Sequence, residues 1–321
     1  MAYTDLPPAL LREHRTQSTE PDDFDEQWAA TVADSRATDR GVTMHPVKTG
    51  LSLVDTWDVR FPGFAGQPIG AWLRAPRGNA GPLPCVVEFV GYGGGRGLGH
   101  ERLLWSTAGY AHLLMDTRGQ GAAWSHGVTE DPDGSGPAVA GVMTRGIEEF
   151  SSYYYRRLVA DAVRAVDAAR ELDLVDASRV VVAGMSQGGG LAIAAAALGA
   201  GVAGALVDVP FLCDFPRALQ LAVRPPYDEV VRYLATHRDR SASVLRTLSY
   251  VDGAHHAARA HMPALFSVGL MDQTCPPSTV YAAYNAWAGD KRIVEYPFNE
   301  HEGGGAHHES IQLEWLDQVL G

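Results

Sequence analysis

Residues 1–45 are polar apart from a helical patch around "DDFDEQWAATVADSR". "LSLVDTWDVRFP" and "QPIGAWLRAP" follow, separated by Gly and Pro, and predict a strand pair. Beyond them, apolar runs alternate with amphipathic ones. "PCVVEFVGYG" predicts a buried strand, and "AHLLMDTRG" a second that ends in Asp116. "YYYRRLVADAVRAVDAARELD" places Leu158, Ala162, Val163, Val166 and Ala169 on one helical face. "SRVVVAGMS" predicts a strand, followed by an Ala-rich helix and the strand "GALVDVPF". Residues 211–261 break the alternation with charged helical sequence, "RPPYDEVVRYLATHRDR" at its middle. After it, "PALFSVGLMD", "PSTVYAAYNAWAG", "KRIVEYPF" and "HHESIQLEWLDQVL" predict strand, helix, strand and helix.

Strands alternating with helices imply an α/β fold whose central sheet is mostly parallel, with helices on both faces. The expected organisation is one domain over residues 1–321. It carries an N-terminal extension (1–45) and a helical insertion after the sixth strand (211–261) that lies over the active-site end.

The charge balance narrows the classes of partner. A formal net charge of −12 over 321 residues argues against nucleic acid, whose phosphates need a basic face. It also gives no support for docking on anionic lipid. "LAIAAAALGAGVAGALV" (191–207) is uncharged but falls short of the roughly 20 residues a membrane span needs. The first residues show no basic stretch followed by an apolar one, so no secretory signal is expected. Three cysteines, Cys85, Cys213 and Cys275, are too few and too odd for a disulfide framework and fit a reducing compartment.

Candidate chemistry centres on "VVVAGMSQGGG", which contains Gly184-Met185-Ser186-Gln187-Gly188 between a β-branched run and an Ala-rich helix. This is G-x-S-x-G in strand–turn–helix context, where a serine sits on a tight, strained elbow and its neighbours must be small. A serine hydroxyl needs a base, and the base needs an acid to hold it. In the α/β-hydrolase order the acid and then the histidine follow the serine. Asp272 ends the strand "PALFSVGLMD", with Asp208, at the end of the strand after the elbow helix, as rival. His301 follows Asp272 by 29 positions, one helix and one strand later. The oxyanion hole is expected from the backbone N–H of Gln187 and of Tyr92, the latter in the glycine-rich loop "GYGGGRG". That loop also invites a dinucleotide reading, but Arg96 stands where the fingerprint needs Gly or Ala, and no Walker lysine is present.

"NEHEGGGAHHES" (299–310) holds three of the chain's histidines. No thiolate or carboxylate is spaced there as a metal ligand, so no metal and no cofactor is expected. His307 and His308 are expected to be solvated or interfacial, and Glu302 to brace the loop.

"VEFVGYGGGRG", "MDTRGQG", "GMSQGGG", "ALFSVGLMD", "CPPST" and "NEHEGGG" together resemble the acetyl xylan esterase/cephalosporin C deacetylase family (carbohydrate esterase family 7), a branch of the α/β-hydrolases. The likeness runs from about residue 20 to the C-terminus. It implies Ser186 as nucleophile, Asp272 as acid, His301 as base, and the Tyr92 and Gln187 amides as oxyanion hole. It also implies a small acyl pocket walled by Trp105, Trp124, Phe211 and Pro226. Arg118 and Gln120, in the "RGQ" block, are expected to pin the loop behind the site. Met185 replaces the family's usual second glycine in the elbow, and Thr274 stands where an aliphatic residue is common. The resemblance implies a cytoplasmic homohexamer acting on acetylated sugars, including xylo-oligosaccharides, and on the acetyl group of cephalosporin C. Two alternatives stay open on the residues alone: a peptidase or an esterase of other acyl preference, and a non-catalytic binding protein on the same fold.

Overall fold

A computed structural model of the protein describes residues 3–134 and 141–321. Nine strands form one sheet: β1 (Thr43–Val47), β2 (Val54–Pro62), β3 (Pro68–Pro76), β4 (Leu83–Phe89), β5 (Ala111–Met115), β6 (Val175–Met185), β7 (Val202–Asp208), β8 (Ala264–Gly269) and β9 (Lys291–Tyr296). Their order is β1-β2-β3-β5-β4-β6-β7-β8-β9. β5, β4, β6, β7, β8 and β9 run parallel, and β1, β2 and β3 join antiparallel at one edge. This is the expected mostly parallel sheet. β1 is an addition, because "TMHPV" is exposed at four of five positions and carries no buried face to announce it.

The helices are α1 (Pro8–Leu11), α2 (Phe24–Ala37), α3 (Leu104–Thr107), α4 (Tyr154–Glu171), α5 (Gln187–Leu198), α6 (Phe215–Leu221), α7 (Tyr227–Thr236), α8 (Ser241–Ser249), α9 (Gly253–Ala257), α10 (Pro277–Ala286) and α11 (Gly305–Leu320). The insertion therefore follows the seventh strand rather than the sixth, because β1 shifts the count.

Side chains on a strand alternate between faces, and the sheet uses that alternation to build two cores. Cys85, Val87 and Phe89 of β4, Val180 and Val182 of β6, and Val207 of β7 face the larger core with α4 and α5. Val86, Val181, Ala183, Leu206 and Leu265 face the other, closed by Trp315, Leu316 and Leu320 of α11. Each fully buried Val or Leu contributes about 1.5–3 kcal/mol. The five α4 positions read as one apolar face are all fully buried. Asp161 is buried as well, because the helix lies between the sheet and α2 and sends its polar groups to Arg118.

The N-terminal residues are bound into the fold. Trp28 donates its indole N–H to the Tyr250 carbonyl at 2.7 Å. The buried Asp214 accepts from Thr16 Oγ1 and Gln17 N–H at 3.0 and 2.9 Å, and its other oxygen lies 2.8 Å from His14 Nε2. Among the described residues no helix is long and apolar enough to cross a membrane.

Candidate active site

Ser186 stands between β6 and α5 with φ 59° and ψ −120°. An L-residue reaches positive φ only under strain, which surrounding structure must hold. Here Ser186 N–H donates to the Asp208 carbonyl at 2.9 Å, and its own carbonyl accepts from Phe211 and Gly190 at 2.9 and 3.0 Å. The flanking glycines are set by contact. A Cβ on Gly184 would come within 2.3 Å of the Gly188 backbone, and one on Gly188 within 2.1 Å of the Phe89 carbonyl oxygen. Gln187 opens α5, where an N–H has no acceptor one turn back.

His301 is fixed by Asp272. The imidazole Nδ1 lies 2.8 Å from Asp272 Oδ2, while Oδ1 accepts the amides of Thr274 and Cys275 at 2.7 and 2.9 Å. Asp272 is 1% exposed, so these three bonds are what make its charge tolerable there. The rival carboxylate, Asp208, is engaged elsewhere. It accepts from Ser267 Oγ at 3.1 Å and Gln312 Nε2 at 2.7 Å, and faces His308. Gly303, Gly304 and Gly305 take φ of 57°, 93° and 47°. This left-handed run turns the chain from His301 straight into α11.

Ser186 and His301 line one cavity of about 350 Å³ with Tyr92, Trp124, Pro225, Pro226, Met185 and Thr274. Tyr92, Trp124, Pro226 and Thr274 are thus brought together at the serine. Trp105 and Phe211 are placed differently from the pocket implied by resemblance. Phe211 is fully buried beneath Tyr92, its ring 4.3 Å from that of Tyr227. Trp105 is 6% exposed, lines a neighbouring cavity, and donates its indole N–H to Glu88 at 3.0 Å. His308 also corrects the expectation. It is 2% exposed and bound through Nδ1 to the Tyr296 hydroxyl, whereas His307 is exposed.

The loop carrying Tyr92 is held from several sides. Gln120 accepts the Gly93 amide at 2.6 Å and donates to Tyr154 and to the Gln187 side chain, both at 2.9 Å. Arg118 is buried against Asp161 and Asp131. The Tyr92 hydroxyl lies 2.8 and 3.0 Å from the two oxygens of Glu229 and accepts the Val142 amide. Burial pushes the Tyr92 phenol up, so it remains a donor. Glu229 on α7 and Arg102, beside Glu88 and Trp124, lie outside the motifs. Glu88 alone had a legible signal: a carboxylate inside the apolar run "CVVEFV".

Asp272, Cys275 and His301 bring one donor atom each within 4.8 Å of one another, the one such group among the described residues. The His301–Asp272 hydrogen bond already joins two of these donors, and burial holds the Cys275 thiol well above its usual range. The arrangement at the elbow suits nucleophilic attack by a hydroxyl whose proton passes to an imidazole held in one tautomer.

The chain matches the acetyl xylan esterase (AXE1) family over residues 1–319. An acetyl xylan esterase from Paenibacillus sp. R4 superposes with TM-score 0.93 at 37% identity, over 98% of this chain and 100% of that one. Acetyl xylan esterase 1 from Thermoanaerobacterium sp. JW/SL YS485 does so with TM-score 0.91 at 31% identity, over 99% and 100%. Acetyl esterase Axe7A of Xylanibacter ruminicola is 25% identical over 298 residues, which span 92% of this chain and 66% of that longer protein. Sheet order, serine elbow and likeness over nearly the whole length agree: the chain belongs to the acetyl xylan esterase family of α/β-hydrolases.

Proposed function

We propose that the protein is a serine esterase that removes acetyl groups from acetylated xylo-oligosaccharides and related small acetyl esters, cephalosporin C among them. The observation that carries this reading is one cavity lined by both Ser186, on its strained elbow, and His301, held by Asp272 at 2.8 Å. Ser186 Oγ attacks the acetyl carbonyl while His301 Nε2 takes its proton. Asp272 keeps Nδ1 protonated and stabilises the imidazolium. The Tyr92 and Gln187 amides donate to the developing oxyanion, where loss of one donor typically costs roughly 10²- to 10³-fold in rate. The tetrahedral intermediate collapses, the alkoxide leaves with the proton from His301, and water repeats the cycle to release acetate. Tyr92, Trp124, Pro226 and Thr274 close around the serine, which supports an acetyl-sized acyl group. The family's likeness supports a hexamer, which sedimentation tests.

Acetate release from acetylated xylo-oligosaccharides and cephalosporin C, with p-nitrophenyl acetate, p-nitrophenyl octanoate and an aminoacyl p-nitroanilide alongside, decides the reading. Acetyl esters are expected to turn over fastest, and Ser186→Ala to lose roughly 10⁴- to 10⁶-fold in kcat. Faster anilide or octanoate cleavage would remove the proposal.

A further inference from the structure

Residues 222–226, "AVRPP", join α6 to α7 and put Pro225 and Pro226 into the wall of the cavity that holds Ser186 and His301. A segment of this composition has little of its own to fix it. Neither proline has a backbone N–H to donate, and the Val223 side chain is exposed. The Arg224 and Pro226 carbonyls accept from the amides of Asp228 and Glu229 at 3.5 and 3.2 Å. Those bonds turn the chain into α7 without tying it to the sheet or to the triad. Among the described residues, every hydrogen bond from this segment to a distant part of the chain is made by Arg224.

One nitrogen makes both of those bonds. Arg224 Nη2 donates to Gln273 Oε1 at 3.0 Å and to Glu300 Oε1 at 2.6 Å. Gln273 directly follows Asp272, and Glu300 directly precedes His301. A single guanidinium therefore joins the loop bearing the acid to the loop bearing the base, and ties both to the segment that supplies two wall residues. Thr274, a third wall residue, is fixed independently, because its amide donates to Asp272 Oδ1 at 2.7 Å. The wall thus consists of a part anchored on the triad itself and a part anchored through Arg224.

Resting on the acetyl-esterase reading above, we infer that Arg224 is a specificity-determining residue: its bridge to Glu300 and Gln273 latches residues 222–226 against the two triad loops and so sets the longest acyl group admitted at Ser186. With the latch released, Thr274 stays on Asp272 while Pro225 and Pro226 lose their tie, and the wall parts between them to give a longer chain room. The energetics favour selectivity over stability as the readout. The bond to Glu300 is charge-assisted and short, but both side chains are partly exposed. Such a pair adds little to global stability and weakens as salt screens it. Removing it therefore leaves the fold standing while freeing the one segment that has no other distant anchor.

The test measures kcat and KM for p-nitrophenyl acetate and p-nitrophenyl hexanoate, which differ only in acyl length, at low and high salt. The proteins are the wild type, Arg224→Ala, Arg224→Lys, Glu300→Ala and the double variant Arg224→Ala/Glu300→Ala. Ratios between the two esters cancel any loss of folded enzyme. The wild type is expected to favour acetate about tenfold or more in kcat/KM at low salt. Arg224→Ala and Glu300→Ala are each expected to narrow that ratio about fivefold, chiefly by lowering KM for hexanoate, and the double variant to narrow it no further, because both remove one interaction. Arg224→Lys, which keeps a cation near Glu300, is expected to retain most of the ratio. High salt should narrow the wild-type ratio more than that of Arg224→Ala. An Arg224→Ala ratio equal to that of the wild type, or the same salt response in both, would overturn the latch. Failure of the acetyl-esterase reading has a different signature: the wild type would then leave p-nitrophenyl acetate intact or favour hexanoate from the start.

Discussion

Glu229 and Tyr92 are 137 positions apart, yet the phenol lies within 3.0 Å of both carboxylate oxygens. The same carboxylate accepts the Met143 amide at 3.2 Å. A residue of the insertion thereby sets where the Tyr92 backbone sits. Glu229→Ala leaves the buried hydroxyl and the amide without their acceptor, which costs about 1–3 kcal/mol each where water cannot replace it. The expected outcome is a lower melting temperature and a fall in kcat of about tenfold with KM little changed. Glu229→Gln keeps an acceptor and should recover most of the rate. Burial outweighs the hydrogen bonds from Tyr92 and Met143 and raises the Glu229 carboxyl above its ordinary value. The folded state therefore binds this proton more tightly than the unfolded one. Its contribution to stability is full below the ordinary carboxylate range and falls as pH rises into the raised one. Denaturant titrations from pH 4 upward should show this slope in the wild type and a flatter one in Glu229→Gln.

At the scale of elements, strand ends and helix starts place the reacting groups by close backbone contact. β8 ends at Gly269, where a Cβ would lie 2.0 Å from the Glu300 carbonyl oxygen. That contact seats the loop bearing His301 against the one bearing Asp272. Gly269→Ala must push residues 299–301 outward, and a displacement near 1 Å at a reacting group can cost roughly 10²-fold in rate. Activity should drop by that order while the circular dichroism spectrum stays native. Gly188→Ala is the contrasting case, because the clash is with the Phe89 backbone inside the core. Overpacking of that kind costs about 1–3 kcal/mol, so its melting temperature should fall along with its activity.

Across the whole molecule, the N-terminal segment orders the middle of the chain. Asp214 begins α6 in left-handed conformation, is wholly buried, and takes its partners from residues 14–17 near the N-terminus. Its backbone N–H is tied in turn to Asp252 at 2.9 Å. The N-terminal segment thus clasps the insertion that carries Pro225, Pro226 and Glu229 to the site. Deleting residues 1–18 leaves a buried carboxylate without compensation, a loss of about 3–5 kcal/mol. The truncated protein should unfold at markedly lower denaturant, and Asp214→Asn introduced into it should restore part of the difference.

Much of this was readable along the chain. Continuous apolar runs in β4 and β6 to β8, as strands buried on both faces carry, and the 3.6-residue period of α4 are local features of the chain, so the α/β order needed no coordinates. Gly184 to Gly188 announces its own elbow, because strain and small neighbours leave a pattern within five residues. The spacing of Asp272 and His301 follows from one intervening helix and strand. β1 stayed hidden because its exposed residues bury no periodic face. His308 stayed hidden because its burial depends on Tyr296 and Asp208, which other elements bring to it. Trp105 and Phe211 match the family in sequence, but their side chains turn to Glu88 and Tyr227, a choice made by packing. Local order therefore carries the sheet, the elbow and the succession of serine, aspartate and histidine. The hold of Glu229 on Tyr92 and the clasp on Asp214 arise only on folding, because each joins groups whose meeting depends on long-range packing that no local period records.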